Sequence, residues 1–223
     1  MEHGLLTKPP RENGRSLADV TADRIREKVM KGVFIPGQHL SEAELGEVFQ
    51  VSRNTLREGF RVLTKEGLLR HEPNRGVFVA VPNMATIVDL YRVRRIVECP
   101  AMGRASSGHS AIKKMREAVE QAKRAREVVD WLTVGSADIS FHTAIVALAD
   151  SPRLDAFFSH ILAEMRLAFG LISDPELLYS PFIELNEELV SLLEKGKRGD
   201  AAAYLDGYLG ESERIVLGAF LRN

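Results

Sequence analysis

A chain of 223 residues can form one large domain or two of ordinary size, and its 45% hydrophobic and 27% charged residues are typical of a globular protein. No apolar run reaches the ~18 residues that a membrane-spanning helix needs, and the polar start lacks an apolar secretory segment. The single cysteine, Cys99, excludes an internal disulfide bond, and the formal net charge of −1 favours no class of partner. We therefore expect a cytoplasmic protein.

Charge is distributed slightly unevenly along the chain. Residues 1–82 carry 13 Lys and Arg against 11 Asp and Glu, whereas the remaining residues carry 17 against 20. The positive balance of the first part and the negative balance of the second suit a nucleic-acid-binding domain followed by an acidic partner domain. Residues 1–15, with Lys8, Arg11, Arg15 and no apolar period, are predicted to form a flexible basic arm.

Two helices are predicted after this arm. Apolar residues at helical spacing indicate a first helix over 16–31, and residues 34–37 are predicted to form a short extended piece and a turn. Ser41 and Glu44 can form a capping box, in which each side chain bonds to the backbone of the other residue. A short second helix should therefore run from this box to about residue 50.

A third helix is predicted over 53–65, with Ser52 as its N-cap and Gly67 just beyond its end. Arginines at every fourth position line one face: Arg53, Arg57 and Arg61. A separate apolar stripe suits a core: Leu56, Phe60 and Leu63. Gly59 lies beside this stripe, where the missing side chain would let another helix approach closely.

Two short strands are predicted after the third helix. Residues 68–71 (Leu-Leu-Arg-His) and the apolar, valine-rich residues 77–81 are the two strands, and the turn between them carries Asn74, Arg75 and Gly76 at its tip. An arginine stripe on a single helix is more often a solvated face. Here the cap, the tight turn, the arginines, the glycine stop and the hairpin occur in the order of a winged helix-turn-helix, which favours DNA binding.

The sequence resembles the GntR family of bacterial regulators over about residues 17–81. The resemblance is carried by Pro36–Glu42, Val51–Glu58, Leu63, Glu66–Leu68 and Asn74–Gly76. It implies that Arg53 and Arg57 read bases and that the hairpin tip touches the minor groove. We therefore place the DNA contacts at Ser52, Arg53, Asn54, Thr55, Arg57, Arg61, Asn74, Arg75 and Gly76. Asn54-Thr55 replaces the common Thr-Pro of the family, and Gly59 replaces an alanine, which leaves the operator sequence open.

Residues 83–223 are predicted to form a second, all-helical domain, so that residues 16–82 form the winged domain. Turn residues divide the second domain into six helical segments: 85–106, 110–128, 131–149, 152–172, 176–195 and 198–221. Pro100 should kink or split the first of them. The predicted fold class is mainly α: three helices with a β-hairpin wing, then a bundle of about six helices whose interior can hold a ligand.

Asp138 and His142 stand four residues apart, so both side chains lie on one helix face and could bind one metal ion. Two residues alone are as well explained by a simple Asp–His ion pair or by a buried, hydrogen-bonded histidine. These alternatives remain open at this point.

The helical domain resembles the FCD effector domain over about residues 85–215. Arg94–Glu98 is similar to an Arg-x-x-Leu-Glu element of that domain, and Asp138 and His142 match its first two metal ligands. Its two further histidines, 22 positions apart, correspond to Asn186 and Tyr208 here. The resemblance implies an effector site at Arg94, Asp138, His142, Asn186 and Tyr208.

Losing two histidines changes the expected metal chemistry. Asn offers only an amide oxygen and neutral Tyr is a poor ligand, so a divalent ion at Asp138 and His142, with Asn186 as a further ligand, is weakly supported and no cofactor is certain. Arg94 could bind an effector's carboxylate through two parallel hydrogen bonds. It could equally form a structural bridge to Glu98.

These observations favour a homodimeric transcription regulator that binds a palindromic DNA operator and is not an enzyme. The resemblance implies a repressor released by a small, carboxylated metabolite. Two other functions stay open: a metal-dependent enzyme that uses Asp138 and His142, and an architectural DNA-binding protein without a sensor.

Overall fold

A computed structural model describes residues 15–221 of the chain. The described residues divide into two compact units, one comprising residues 15–28 and Gly37–Ala80 and the other comprising Val29–Pro36 and residues 81–221. The predicted basic arm lies outside the described residues except for Arg15, whose guanidinium pairs with Asp23 at 2.5 Å.

The first unit contains, in the described part of the chain, three helices: α1 (Leu17–Met30), α2 (Glu42–Phe49) and α3 (Arg53–Lys65). Each lies where its apolar spacing predicted it. Fully buried side chains from α1, α3 and the segments that follow form the core: Ile25, Leu56, Leu63, Leu68 and Val79. Burying each contributes roughly 1.5–3 kcal/mol. Gly59 makes this packing possible, because a Cβ there would lie 3.3 Å from the carbonyl oxygen of Ala18 in α1.

A small antiparallel sheet completes the first unit. Its strands are β1 (His39–Leu40), β2 (Leu69–Glu72) and β3 (Gly76–Val79), in the order β1-β3-β2. The β2–β3 hairpin is the predicted wing, and its turn uses the left-handed backbone of Asn74 (φ 62°) and Gly76 (φ 100°). The sequence did not predict β1, because two residues are too few to show the alternation of a strand.

The second unit is a bundle, and its six helices in the described residues are α4 (Met84–Gly103), α5 (Ser110–Glu127), α6 (Trp131–Ala147), α7 (Pro152–Phe169), α8 (Pro175–Glu194) and α9 (Arg198–Phe220). Each boundary lies within three residues of the predicted one. Side-chain caps begin five of them, at Asn83, His109, Asp130, Ser151 and Asp174. Within the described chain, no helix combines the length and apolarity that crossing a membrane would require.

Pro100 does not split its helix, one of the two outcomes predicted for it, because α4 continues through Pro100 to Gly103. A proline removes one backbone hydrogen bond, here the one that the carbonyl of Ile96 would accept. Ile96 is 73% exposed, and Pro100 stands only one turn before the helix end. The lost bond therefore falls where water can replace it.

The central helix of the bundle is α6, which packs against α4, α5, α7 and α8. It is apolar on nearly every side, and its buried residues include Val134, Phe141 and Ile145. This position explains the site described below, since any polar side chain on α6 must find its partners inside the protein.

Candidate functional site: an arginine-bearing helix face and a buried polar cluster

The turn between α2 and α3 fixes how the third helix begins. Gln50 ends α2 in the left-handed conformation (φ 56°), and two residues later Ser52 caps α3 by accepting from the backbone N–H of Thr55 at 3.1 Å. Ser41 caps α2 in the same way, accepting from the N–H of Glu44 at 3.3 Å. The tight turn leaves the first turn of α3 exposed, with Arg53 and Asn54 at its surface.

The two faces of α3 separate as the sequence predicted. Leu56, Phe60 and Leu63 are buried, whereas the arginine side chains face outward, with 61% of Arg57 and 76% of Arg61 exposed. A row of solvated guanidinium groups at the front of a capped helix can enter a DNA major groove and bond to guanine O6 and N7.

The guanidinium of Arg57 is oriented by a carboxylate from the preceding helix. Its Nε donates to both carboxylate oxygens of Glu42, at 3.0 and 2.9 Å. This contact is made through Nε, and among the described residues no hydrogen bond of the Arg57 terminal nitrogens accompanies it, so they can contact a base. Arg61 instead pairs with Glu58 on its own helix at 2.6 Å.

The wing tip presents a second basic group. Asn74 and Arg75 are exposed, and Arg75 pairs with Glu72 at 2.5 Å while its guanidinium lies 5.5 Å from the ring centre of Phe78. Gly76 allows the backbone to turn at the tip. An exposed arginine on a narrow hairpin can reach phosphates or the minor groove beside a bound helix.

A cleft of about 580 Å³ separates α3 from the wing in the first unit. Its lining includes Arg57, Arg61, Thr64, Lys65 and His71. Sequence reasoning did not single out the last three residues. Lys65 had a signal, since it continues the four-residue spacing of the arginines, whereas His71 reaches the cleft only through the register of the hairpin.

In the second unit, four helices bring together the polar residues that the FCD resemblance named. Arg94 lies on α4, Asp138 and His142 on α6, Asn186 on α8 and Tyr208 on α9. Arg94, His142, Asn186 and Tyr208 are all at least nine-tenths buried. The sequence alone could not establish this convergence, because the residues span more than 110 positions.

The centre of this cluster is an ion pair inside the core. Nε of Arg94 donates to Glu98 at 2.6 Å, and a terminal nitrogen of Arg94 lies 3.0 Å from the ring of His142. The other Glu98 oxygen contacts His142 Nδ1. Burial opposes ionisation of Glu98, but Arg94 and His142 outweigh it and lower its pKa. Arg94 therefore bridges to Glu98, one of its two predicted roles.

The second ring nitrogen of His142 faces Tyr208, whose hydroxyl lies 3.2 Å away. Burial raises the pKa of Tyr208 well above its ordinary value, so the phenol stays protonated and can donate to Nε2. Glu98, Arg94 and Tyr208 thus surround the imidazole of His142, and the tautomer of the ring decides which of its nitrogens donates.

Asp138 and Asn186 form the open end of the cluster. The amide nitrogen of Asn186 donates to Asp138 at 3.3 Å, and Asp138 lies 3.8 Å from His142 Nε2. The amide oxygen of Asn186 is buried and has no hydrogen-bond partner among the described residues. Reversing the amide would turn its oxygen toward a carboxylate, so the hydrogen bond fixes this orientation.

These residues do not fit a tightly bound transition metal. Asp138 and His142 are the two strong ligands of the cluster, while Asn186 offers an amide oxygen and Tyr208 a neutral phenol. Among residues 15–221, no group of three or more His, Cys, Asp or Glu side chains is arranged to hold an ion. We therefore derive no step that depends on a metal.

Profiles of two known families match the chain. The profile described as bacterial regulatory proteins, gntR family, matches residues 17–79, and that of the FCD domain matches residues 89–210. The HTH-type transcriptional repressor RspR of Escherichia coli (strain K12) is 27% identical over 183 residues, which cover 79% of this chain and 78% of RspR. The Nta operon transcriptional regulator of Aminobacter aminovorans is 28% identical over 174 residues, covering 77% and 81%.

Solved structures agree with these matches. A transcriptional regulator GntR from Rhodococcus sp. RHA1 is 36% identical, superposes with a TM-score of 0.84, and is matched over 91% of this chain and 98% of its own. E. coli McbR/YncC, at 18% identity and a TM-score of 0.79, shares the fold over 92% of this chain and 99% of its own. The curated relatives are regulators rather than enzymes. The chain belongs to the GntR family of bacterial transcriptional regulators, with a winged helix-turn-helix joined to an FCD domain.

Proposed function

We propose that this protein is a sequence-specific transcription repressor that binds a palindromic operator as a homodimer and is released by a small carboxylated metabolite. One observation carries the DNA-binding part: the capped front of α3 exposes an arginine face, and Glu42 holds the exposed Arg57 through its Nε. That geometry suits the bidentate readout of guanine.

The DNA contacts proposed on this basis are the nine residues of the helix front and the wing tip: Ser52, Arg53, Asn54, Thr55, Arg57, Arg61, Asn74, Arg75 and Gly76. A dimer with two-fold symmetry presents two such surfaces, and it reads two half-sites related by the same symmetry. The winged domain would comprise residues 16–82, preceded by the basic arm and followed by the sensing domain over 83–223.

The buried cluster supports a sensing role for the second domain. A ligand shifts a regulator between states only by the difference between its affinities for them. A cluster that joins α4, α6, α8 and α9 is well suited to this, because a ligand that exchanges hydrogen bonds with Asp138, His142 or Asn186 would change how four helices pack. Arg94 and Tyr208 complete the proposed effector site.

The test is a selection of DNA duplexes from a random-sequence pool by the purified full-length protein. We expect enrichment of an inverted repeat whose half-sites contain guanine, and release of the selected duplex by a metabolite that also raises the melting temperature. A folded protein that enriches no sequence would contradict the proposal. Enrichment of a single half-site without its repeat would contradict the dimer.

A further inference from the structure

One buried arginine in the bundle stands apart from the others. Arg166 on α7 is only 7% exposed, and its terminal nitrogens donate to the hydroxyl of Tyr179 at 2.9 Å and to the carbonyl of Leu132 at 3.3 Å. Both partners are uncharged, and no ion pair among the described residues includes Arg166. The two other buried arginines of the described residues each form an ion pair: Arg94 pairs with Glu98, and Arg26 pairs with Glu66.

A buried cation without a counter-ion is unfavourable in a folded protein, so it needs an explanation. Substituting an apolar side chain at such a position commonly stabilises a protein, and unfavourable groups of this kind are retained where function requires them.

The surroundings of Arg166 are shaped to hold its head group in place. A Cβ on Gly135 of α6 would lie 1.9 Å from a terminal nitrogen of Arg166 and 2.6 Å from the Tyr179 oxygen. The bare backbone therefore makes the space for this pair. Burial raises the pKa of Tyr179 to about 12, so the phenol stays protonated. Its oxygen accepts from Arg166 while its proton remains available to an anion.

Two hydrogen-bond acceptors lie near Tyr179, Asp138 on α6 and Asn186 on α8. These three residues line an interior space of only about 10 Å³, and Arg166 adjoins it through its hydrogen bond to the Tyr179 hydroxyl. Asp138 follows Gly135 by three residues, so the two positions share a helix face. Asp138 and the unpartnered amide oxygen of Asn186 both accept hydrogen bonds. This end of the space therefore selects a group that donates, such as a hydroxyl or an ammonium.

We propose that the effector is a small carboxylate that carries a hydroxyl or ammonium group, with its carboxylate bound by Arg166 and Tyr179 and its donor group bound by Asp138 and Asn186. This inference rests on the proposed sensing function and assigns the carboxylate to Arg166 rather than to Arg94, whose guanidinium is bonded to Glu98. A space of about 10 Å³ holds at most one water molecule, so the ligand must separate α6 from α8 to enter. Effector binding is thereby tied to a change in helix packing.

The first experiment compares melting temperatures and needs no knowledge of the natural effector. Arg166→Gln keeps a hydrogen-bond donor and removes the charge. The matched control is Arg95→Gln, at an arginine that is 30% exposed and pairs with Glu213. We expect the melting temperature of Arg166→Gln to equal or exceed that of the wild type. A fall of more than about 5 °C, with Arg95→Gln unchanged, would mean that Arg166 is a structural residue and would overturn the proposal.

The second experiment uses acetate and glycolate as probes, with chloride at the same ionic strength as reference. Saturating acetate should raise the melting temperature of the wild type and of Arg95→Gln by about 2–4 °C, but not that of Arg166→Gln. Glycolate, which adds one hydroxyl, should raise it further, and Asn186→Leu should abolish the difference between the two probes. Equal responses in all variants, or none in the wild type, would overturn the proposal.

DNA binding by the same variants separates this inference from the proposed function. Without probes, Arg166→Gln should bind the selected duplex as tightly as the wild type. If the wild type enriches no duplex, the repressor proposal fails, while the acetate response still reports whether Arg166 binds a carboxylate.

Discussion

The ion pair between Arg94 and Glu98 should be essential for the stability of the helical domain. Both side chains are at most 2% exposed, and the carboxylate also contacts His142. Arg94→Met keeps much of the volume but leaves a buried carboxylate without its cation. Breaking a buried pair in this way costs about 3–5 kcal/mol. For a chain of this size, that corresponds to a fall of about 6–20 °C in melting temperature.

Two controls show whether the loss comes from the stranded charge. Arg94→Met combined with Glu98→Leu removes both charges and should recover most of the lost free energy of unfolding, because an apolar pair can replace a buried ion pair. Arg95→Met, at a half-buried arginine of the same helix, should cost less than about 1 kcal/mol. Urea denaturation followed by circular dichroism measures all three. A cost below about 1 kcal/mol for Arg94→Met alone would refute this reasoning.

Three further predictions follow from the same contacts. Although burial opposes it, Arg94 and His142 hold the pKa of Glu98 below its ordinary value, so the ionised carboxylate stabilises the fold above about pH 4.5. This stabilisation is lost as the pH falls through the folded pKa. Acid titration should therefore destabilise the wild type more than the variant that combines Arg94→Met with Glu98→Leu. Ser52→Ala removes the cap of α3 and should lower the free energy of unfolding by about 1 kcal/mol in denaturant titrations. Glu42→Gln releases Arg57 and should lower the preference for operator over random DNA in competition assays, whereas an unchanged ratio would show that Glu42 does not orient it.

Periodicity in the sequence predicted the helices because each one buries a continuous apolar face. The caps and glycine stops then located most of the boundaries. The sequence missed β1, since a strand of two residues has no period. It also left open whether Pro100 kinks or splits its helix, and the helix is not split there, where the lost hydrogen bond lies at an exposed position. Local patterns thus predict elements well, but they do not show where solvent can compensate a defect.

The buried polar cluster was only partly predictable. The spacing of Asp138 and His142 placed both on one helix face, and the resemblance to the FCD domain pointed to Asn186 and Tyr208. It did not decide between the two roles of Arg94, because the burial of the Arg94–Glu98 pair against His142 depends on how α4 packs against α6. Arg166 was overlooked because an arginine in a helix is usually at the surface. Only its burial among apolar neighbours distinguishes it.

The central claim is that α3 reads bases through Arg57, and substitution of that residue tests it most directly. In competition binding, Arg57→Ala should lose about 1–3 kcal/mol of the free energy of operator binding per half-site. For two half-sites, operator affinity then falls by about 30-fold to 10⁴-fold, while affinity for random DNA falls little. Arg61→Ala, whose guanidinium pairs with Glu58, should weaken both kinds of DNA by a similar, smaller factor. If folded Arg57→Ala protein still discriminates operator from random DNA as the wild type does, α3 does not read bases through Arg57.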